Sequence, residues 1–160
     1  MLAQIGWATV AWAHLEILLD FANWSVVHHL QKREPFPVAL GRKLNLFRRA
    51  HNQIAALDPL KANALALADD IGALSVKRND MIHGRALNDL SDDVIKVYRH
   101  VVPKGLADNH LVFAQRRAYT SQEFSGLASE MFDLAHRMAA HASLVAETLG
   151  TKDKIHDLTR

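Results

Sequence analysis

The first thirty residues of this 160-residue chain are apolar around nearly the whole circumference of a helix. Residues 2–30 predict one long helix in which only a narrow stripe is polar, formed by Thr9, Glu16, Asp20 and Asn23. Because such a helix must be covered on several sides, we expect one face to lie in the core and another to pack against a second copy of the chain. A central core helix of a monomer is the alternative.

The same segment lacks the composition of a membrane span or of a secretion signal. A span needs about twenty residues almost free of charge, whereas Glu16 and Asp20 interrupt this run. A signal peptide needs a basic start and a small-residue cleavage site, and neither is evident. Together with the absence of cysteine, which fits a reducing compartment, this predicts a cytoplasmic protein with no membrane partner.

Two further helices are predicted before Gly84. The prolines within residues 31–37 prevent the first helix from continuing, and helical spacing of apolar residues resumes from about Val38 to Leu57. Asp58-Pro59 is a helix-start signal, with the aspartate as N-cap. The third helix is then expected to run to about His83, with Gly84 as its left-handed C-cap.

After Gly84 the pattern changes from helix to strand and back. Residues 94–101 are β-branched and alternating, and residues 110–119 resemble a second strand. Turn residues between them predict a β-hairpin with a long loop. The sequence Thr-Ser-Gln-Glu at 120–123 is a capping box, which opens a last helix that runs to about Leu149.

The composition is that of one globular domain, with 49% hydrophobic and 22% charged residues. We predict a mainly all-α fold over residues 1–150, an up-and-down four-helix bundle with a β-hairpin insertion between helices 3 and 4. A polar C-terminal tail, residues 151–160, follows. Without cysteine, and with no histidine pair at the spacing of a helical zinc site, we expect no metal and no cofactor.

Residues 78–84, Arg-Asn-Asp-Met-Ile-His-Gly, place an arginine, an amide, a carboxylate and an imidazole at the predicted end of helix 3. At about 100° per residue, Arg78 falls within the apolar stripe of Leu67, Ile71 and Leu74. An unpaired buried charge is costly. Arg78 therefore either pairs with a carboxylate, for which Glu16 and Asp20 are candidates, or opens onto a cleft or a subunit interface.

Asn79 and His83 share a different face of this helix. His83 lies about 140° around the helix axis from Arg78. Arg78 and His83 converge only if the arginine swings over, the last turn loosens, or a second copy supplies the other half. An ordinary helix end is the competing interpretation, because a histidine and a glycine are both favourable at a helix C-terminus.

As chemistry, the cluster suits metal-independent RNA cleavage. His83 would be the general base or acid near neutral pH, Arg78 would stabilise charge on the phosphate, and Asn79 would orient the imidazole or the phosphate. Lys77 and Arg85 would attract the RNA backbone. Arg48 and Arg49, on the basic side of helix 2, form either a solvated face or a second phosphate-facing one.

The segment Arg78 to His83 resembles the motif of the HEPN family, an arginine followed by a polar residue and, after four to six residues, a histidine. The surroundings are similar too, with an aromatic-rich first helix, a basic second helix, the motif at the end of the third, and a last long helix. The resemblance covers most of residues 1–150. It implies a homodimer in which two motifs face each other, with Arg78 and His83 catalytic and Asn79 supportive.

By the same resemblance, the chain would be a metal-independent endoribonuclease of a toxin or defence system, and an antitoxin protein is a further partner. Some family toxins carry a regulatory tyrosine two residues after the histidine, where this chain has Arg85. The alternative function is a catalytically inactive HEPN-like dimeric interaction or RNA-binding module, and a purely structural bundle is the third.

Overall fold

The computed structural model describes residues 2–31, 35–83, 85–87, 94–101 and 113–154, although the side chains of residues 81–83 and of most strand positions fall outside that description. Four α-helices lie within these ranges: α1 (Leu2–His29), α2 (Leu40–Gln53), α3 (Lys61–His83) and α4 (Ser121–Thr148). Three strands follow α3: β1 (Arg85–Leu87), β2 (Val94–Val101) and β3 (Phe113–Thr120). The predicted mainly all-α class is confirmed.

The last helix begins and ends as its sequence predicts. Thr120 Oγ1 accepts from the Glu123 backbone N–H at 3.1 Å, while Glu123 Oε2 accepts from the Thr120 N–H at 2.7 Å, which completes the capping box. At the other end Gly150 takes a left-handed φ of 63°. That conformation lets the Thr151 N–H reach the Ala146 carbonyl at 2.8 Å, which satisfies one of the terminal carbonyls of α4.

The predicted boundary between helices 2 and 3 is wrong. The expected N-cap Asp58 lies inside a short 3-10 segment, Ala55–Leu60, and α3 begins only at Lys61. Ile54 is extended, so α2 ends at Gln53 before the expected Leu57. Leu57 is fully buried in a small core cluster with Val26, Ala50, Val145 and Leu149. Burial of Leu57 accounts for a tight turn here, because tertiary packing readily overrides local signals.

The four helices pack around one main core, in which α1 makes its most extensive contacts with α4. Two ion pairs join α3 to α4: Lys77 Nζ lies 2.9 Å from Glu130, and Arg137 lies 2.8 Å from Asp70. Since the later residue of α3 pairs with the earlier residue of α4, these two helices run antiparallel.

The predicted hairpin is present as β2 and β3, which pair antiparallel from Val94↔Thr120 to Val101↔Phe113. The short strand β1, which the sequence did not predict, extends the sheet in the order β1-β2-β3. Its pairing of Arg85 with Tyr98 begins two residues after α3 ends. The sheet therefore lies directly beyond the candidate cluster. The expected C-cap Gly84 lies outside the described residues.

One face of α1 lies in the core, as expected, and another apolar face is exposed in the single chain, so its expected contact with a second copy stays a prediction. Trp7, Val10 and Ile17 are 60%, 55% and 66% exposed. The polar stripe does not simply face solvent, however. Asn23 is buried and donates to the Lys43 carbonyl at 3.1 Å, so this part of the stripe packs against α2.

None of the helices in the described ranges combines the length and the apolarity that crossing a bilayer requires. The predicted polar tail begins at a buried residue, Thr151, and continues in a 3-10 segment, Lys152–Lys154. The rest of the tail lies outside the described residues.

Candidate functional site at the end of α3

Arg78 lies partly buried on α3 and is held by an aromatic ring. Its Cζ atom is 5.5 Å from the ring centroid of Trp12, a core residue of α1. Its Nη1 donates to the Asn79 Oδ1 at 3.1 Å. A guanidinium over an indole face is stabilised by about 1–2 kcal/mol where water is partly excluded. These contacts fix the position of Arg78 without neutralising its charge.

Of the two expectations for Arg78, pairing with a carboxylate is not met within one chain, because neither candidate, Glu16 or Asp20, forms an ion pair with it among the described residues. Asp20 Oδ2 instead accepts from Lys43 Nζ at 2.7 Å. Because α2 packs against this part of α1, Lys43 is the cation that reaches Asp20. Among the described carboxylates none forms an ion pair with Arg78, and its buried Nε atom has no hydrogen-bond partner there. The other expectation, that Arg78 opens onto a cleft or an interface, stays a prediction.

Asp80 is the buried member of the cluster, with an exposed fraction of 9%. Its Oδ2 accepts a hydrogen bond of 3.3 Å from the hydroxyl of Tyr119, which is the next-to-last residue of β3. The Tyr119 ring also packs against Phe124 at the start of α4, with 5.3 Å between ring centroids. Tyr119 therefore ties the last turns of α3 to the sheet. Sequence reasoning missed it because only the strand register brings a residue 39 positions away to this helix end.

His83 is the last residue of α3, and its side chain lies outside the described residues. The backbone is α-helical throughout residues 78–83, so loosening of the last turn does not bring His83 toward Arg78. On a regular helix they are separated by about 140° and about 7.5 Å of axial rise. Of the three expected ways to unite them, a swing of the arginine and a contribution from a second copy remain.

The candidate RNA-binding residues lie in different settings. Lys77 pairs with Glu130 at 2.9 Å, beside a cleft between α3 and α4 of about 390 Å³. Arg48 pairs with Asp69 of α3 at 2.7 Å. Asp69 is nine residues before Arg78, so the two positions are about 13.5 Å apart along the helix axis. Arg49 is exposed, and the Arg85 side chain lies outside the described residues. Lys77 and Arg48 thus each already have a carboxylate partner.

A second polar cluster lies in the bundle interior and joins α2, α3 and α4. His51 and His141 are 0% and 1% exposed, and their Nε2 atoms are 3.0 Å apart. At one end, His51 Nδ1 lies 2.9 Å from the Phe47 carbonyl oxygen. At the other end, the Asn63 amide nitrogen lies 3.1 Å from His141 Nδ1. All four imidazole nitrogens therefore have a partner.

The two ends of this chain of hydrogen bonds determine the tautomers. A carbonyl oxygen only accepts, so His51 Nδ1 carries the proton and its Nε2 is an acceptor. An amide nitrogen only donates, so His141 Nδ1 is the acceptor and its Nε2 carries the proton. The two requirements agree, because His141 then donates to His51. The network closes with both rings neutral, and a further proton on either ring would place two donors against each other.

The environment keeps both rings neutral near pH 7. Burial is the main cause that lowers the pKa of His51, although its bond to the Phe47 carbonyl acts in the opposite sense. Burial also lowers the pKa of His141, to about 4, and the neighbouring His51 adds to the effect. Nothing in the local sequence around His51 indicates its partner His141, which lies 90 residues away.

Within the described part of the chain, no group of three or more His, Asp or Glu side chains could hold a metal ion. A scan against protein-family models matched nothing to this chain, and neither did searches of the curated proteins and of the solved structures. The resemblance to the HEPN family therefore stays a prediction from the sequence.

Proposed function

We propose that this chain is a HEPN-like, metal-independent endoribonuclease that acts as a homodimer in a toxin or defence system. The observation that carries the proposal is the state of Arg78. It is held on Trp12 and Asn79 without a carboxylate partner among the described residues. Its charge is therefore available to a phosphate, and a preorganised cation stabilises the charge that develops in the transition state.

The proposed reaction uses the 2′-hydroxyl of the RNA as nucleophile. His83 removes its proton, the oxygen attacks the adjacent phosphorus, and the 5′-oxygen leaves and takes up a proton, which yields a cyclic phosphate. Arg78 stabilises the added negative charge. Asn79 accepts a hydrogen bond from Arg78 at 3.1 Å, so its role in this mechanism is to position the arginine rather than the imidazole.

Two exposed surfaces support the homodimer. The first is the face of α1 that carries Trp7, Val10 and Ile17, all more than half exposed and within about 80° of one another on the helix. Clustered exposed apolar residues mark interaction surfaces. The second is Val76 of α3, 55% exposed, which is about 20° from the direction of His83. A partner that covers Val76 would lie against the face of His83.

Cleavage of RNA in the presence of a chelator tests the enzyme. Wild type is expected to cleave, whereas Arg78→Ala and His83→Ala are expected to lose activity by about 10²-fold or more. Arg137→Ala is the matched control, because it also removes one arginine from an exposed ion pair but leaves the cluster and the candidate RNA contacts intact. Cleavage that survives both substitutions, or that needs added metal, contradicts the mechanism. Toxicity on expression that His83→Ala relieves would support the toxin role.

Mixing the two inactive variants tests whether the site is composite. If Arg78 of one copy works with His83 of the other, a mixed dimer contains one intact site. An equal mixture should then recover about a quarter of the wild-type rate, since half of the dimers are mixed. A mixture as inactive as its components would place each complete site within one chain. Ile17→Glu should abolish both dimerisation, measured by light scattering, and this recovery.

An interaction module without catalysis is the second candidate. The ion pairs Lys77–Glu130 and Arg48–Asp69 favour it, because paired cations contribute less to RNA binding than free ones. The outcome that selects it is a wild type that dimerises but does not cleave, together with an Arg78→Ala variant that loses dimerisation.

A further inference from the structure

A pocket of about 270 Å³ lies between the end of α1, residues 35–37 and α2, away from the Arg78 cluster. One wall is apolar and includes two prolines, whose rings fix the backbone. The polar residues of the lining, here called the polar wall, all belong to α2, which also contributes the apolar Leu46. The apolar wall consists of Val27, Leu30, Pro35, Pro37 and Leu46, and the polar wall consists of Arg42, Asn45 and Arg49.

The basic residues of α2 divide into two kinds. Lys43 and Arg48 are paired with Asp20 and Asp69, each at 2.7 Å. Arg42 and Arg49 form no ion pair or hydrogen bond with their side chains among the described residues, and both line the pocket. The two unpaired arginines are therefore the two that face the same concavity.

Helix geometry directs Arg42 and Arg49 to one site. Seven residues apart, they are within about 20° of each other and about 10.5 Å apart along the axis, with Asn45 between them. Both side chains are exposed and unpaired, so their guanidinium groups are free to converge on one anion that lies between them. Each guanidinium can donate two hydrogen bonds to a phosphate, and a phosphate dianion matches both charges.

The apolar wall determines what else the ligand must carry. An inorganic anion would leave this wall unused, whereas a ring or short aliphatic group would bury it. The pocket is slightly below the usual range of ligand sites, about 300–1,000 Å³, so its ligand is small. We propose that the pocket binds a small organic phosphate monoester, with the phosphate between Arg42 and Arg49 and an apolar body against Val27, Leu30 and the prolines.

Phenyl phosphate is the probe, titrated into the whole chain by calorimetry. We expect it to bind at least tenfold more tightly than inorganic phosphate, with benzyl alcohol showing no binding. The double variant Arg42→Gln/Arg49→Gln should lose at least tenfold in affinity. The matched control is the double variant Arg137→Gln/Lys152→Gln, which removes the same charge from two exposed positions outside the pocket and should change affinity less than twofold. Val27→Asn should weaken phenyl phosphate while leaving inorganic phosphate unchanged.

Equal loss in the two double variants would reduce the effect to net charge and overturn the proposal. So would equal affinity for phenyl phosphate and inorganic phosphate, or no binding of phenyl phosphate. A nucleoside 5′-monophosphate serves as a second probe and shows whether the body can be a nucleoside. Because Arg49 is also a candidate RNA contact, RNA cleavage is measured in parallel. RNA cleavage without binding of phenyl phosphate would overturn the pocket proposal alone. Binding of phenyl phosphate without RNA cleavage would overturn the ribonuclease proposal alone.

Discussion

Two polar clusters lie within the bundle, one around Arg78 and one around His51 and His141, and they satisfy their polar atoms differently. In the histidine cluster all four ring nitrogens have a partner. Around Arg78, the arginine Nε and the Trp12 Nε1 are buried and have no hydrogen-bond partner among the described residues. A closed network is what a structural cluster needs. The open one retains the capacity to bind something else.

The largest expected difference between the clusters is in stability. His141→Ala should lower the free energy of unfolding by about 3 kcal/mol, because it leaves a cavity and an unpaired nitrogen on the buried His51. Arg78→Ala should lower it by only about 1 kcal/mol. Urea denaturation at pH 7.5 measures both, and exposed His136→Ala on the same helix is the control, expected within about 0.5 kcal/mol of wild type. If Arg78→Ala and His141→Ala lower the free energy of unfolding equally, Arg78 serves mainly to stabilise the fold.

The pH dependence should separate the clusters next. The folded pKa of His141 is lowered from 6.5 to about 4, so the unfolded chain binds protons first as the pH falls. Stability due to the neutral pair is therefore complete above about pH 6.5 and decreases toward pH 4. Urea denaturation between pH 7.5 and 5.5, where carboxylates stay ionised, should show this decrease in wild type. The decrease should be smaller in the variant His51→Gln/His141→Gln. If the free energy of unfolding falls equally with pH in wild type and variant, the decrease does not come from this histidine pair.

A smaller effect is expected at Trp12. Trp12→Leu keeps an apolar side chain but removes the ring face, and it should lower both stability, by about 1–2 kcal/mol, and RNA cleavage. Trp12→Phe, which keeps an aromatic face, should recover part of the cleavage. If Trp12→Leu loses stability but cleaves as wild type does, the ring does not position Arg78 for catalysis.

The smallest effect is expected at Tyr119. Its bond to Asp80 is long, at 3.3 Å, so Tyr119→Phe should lower stability by about 0.5–1 kcal/mol in thermal unfolding. The control is Tyr119→Leu, which also removes the ring packed against Phe124 and should be distinctly worse. A Tyr119→Phe loss above about 2 kcal/mol would mean that the hydroxyl, rather than the ring, holds the sheet against α3.

Much of the fold could be predicted because its signals are local. The Thr120 capping box acts over three residues, and the alternating pattern of residues 94–101 is complete within one strand. The Asp58-Pro59 start signal failed for the opposite reason. Burial of Leu57 between α1 and α4 is a tertiary effect, and it overrode a local preference worth about 1 kcal/mol.

The candidate site was predictable only in part. Its residue types, its position at the end of α3 and the direction of Arg78 follow from helical periodicity. The neighbours of Arg78 do not, because they come from other elements. Periodicity alone could not decide between a carboxylate and an indole, whereas the tertiary structure places the Trp12 ring beside Arg78.

By itself the sequence determined the helices, the hairpin, the caps and the order of chemical groups along α3, since each depends on residues a few positions apart. Only the tertiary structure decided which groups meet. It brought Trp12 under Arg78, Tyr119 to Asp80, and His141 to His51. The physical reason is that one helical pattern is compatible with several packings. Simultaneous burial of the apolar faces selects among them, and the polar contacts follow from that choice.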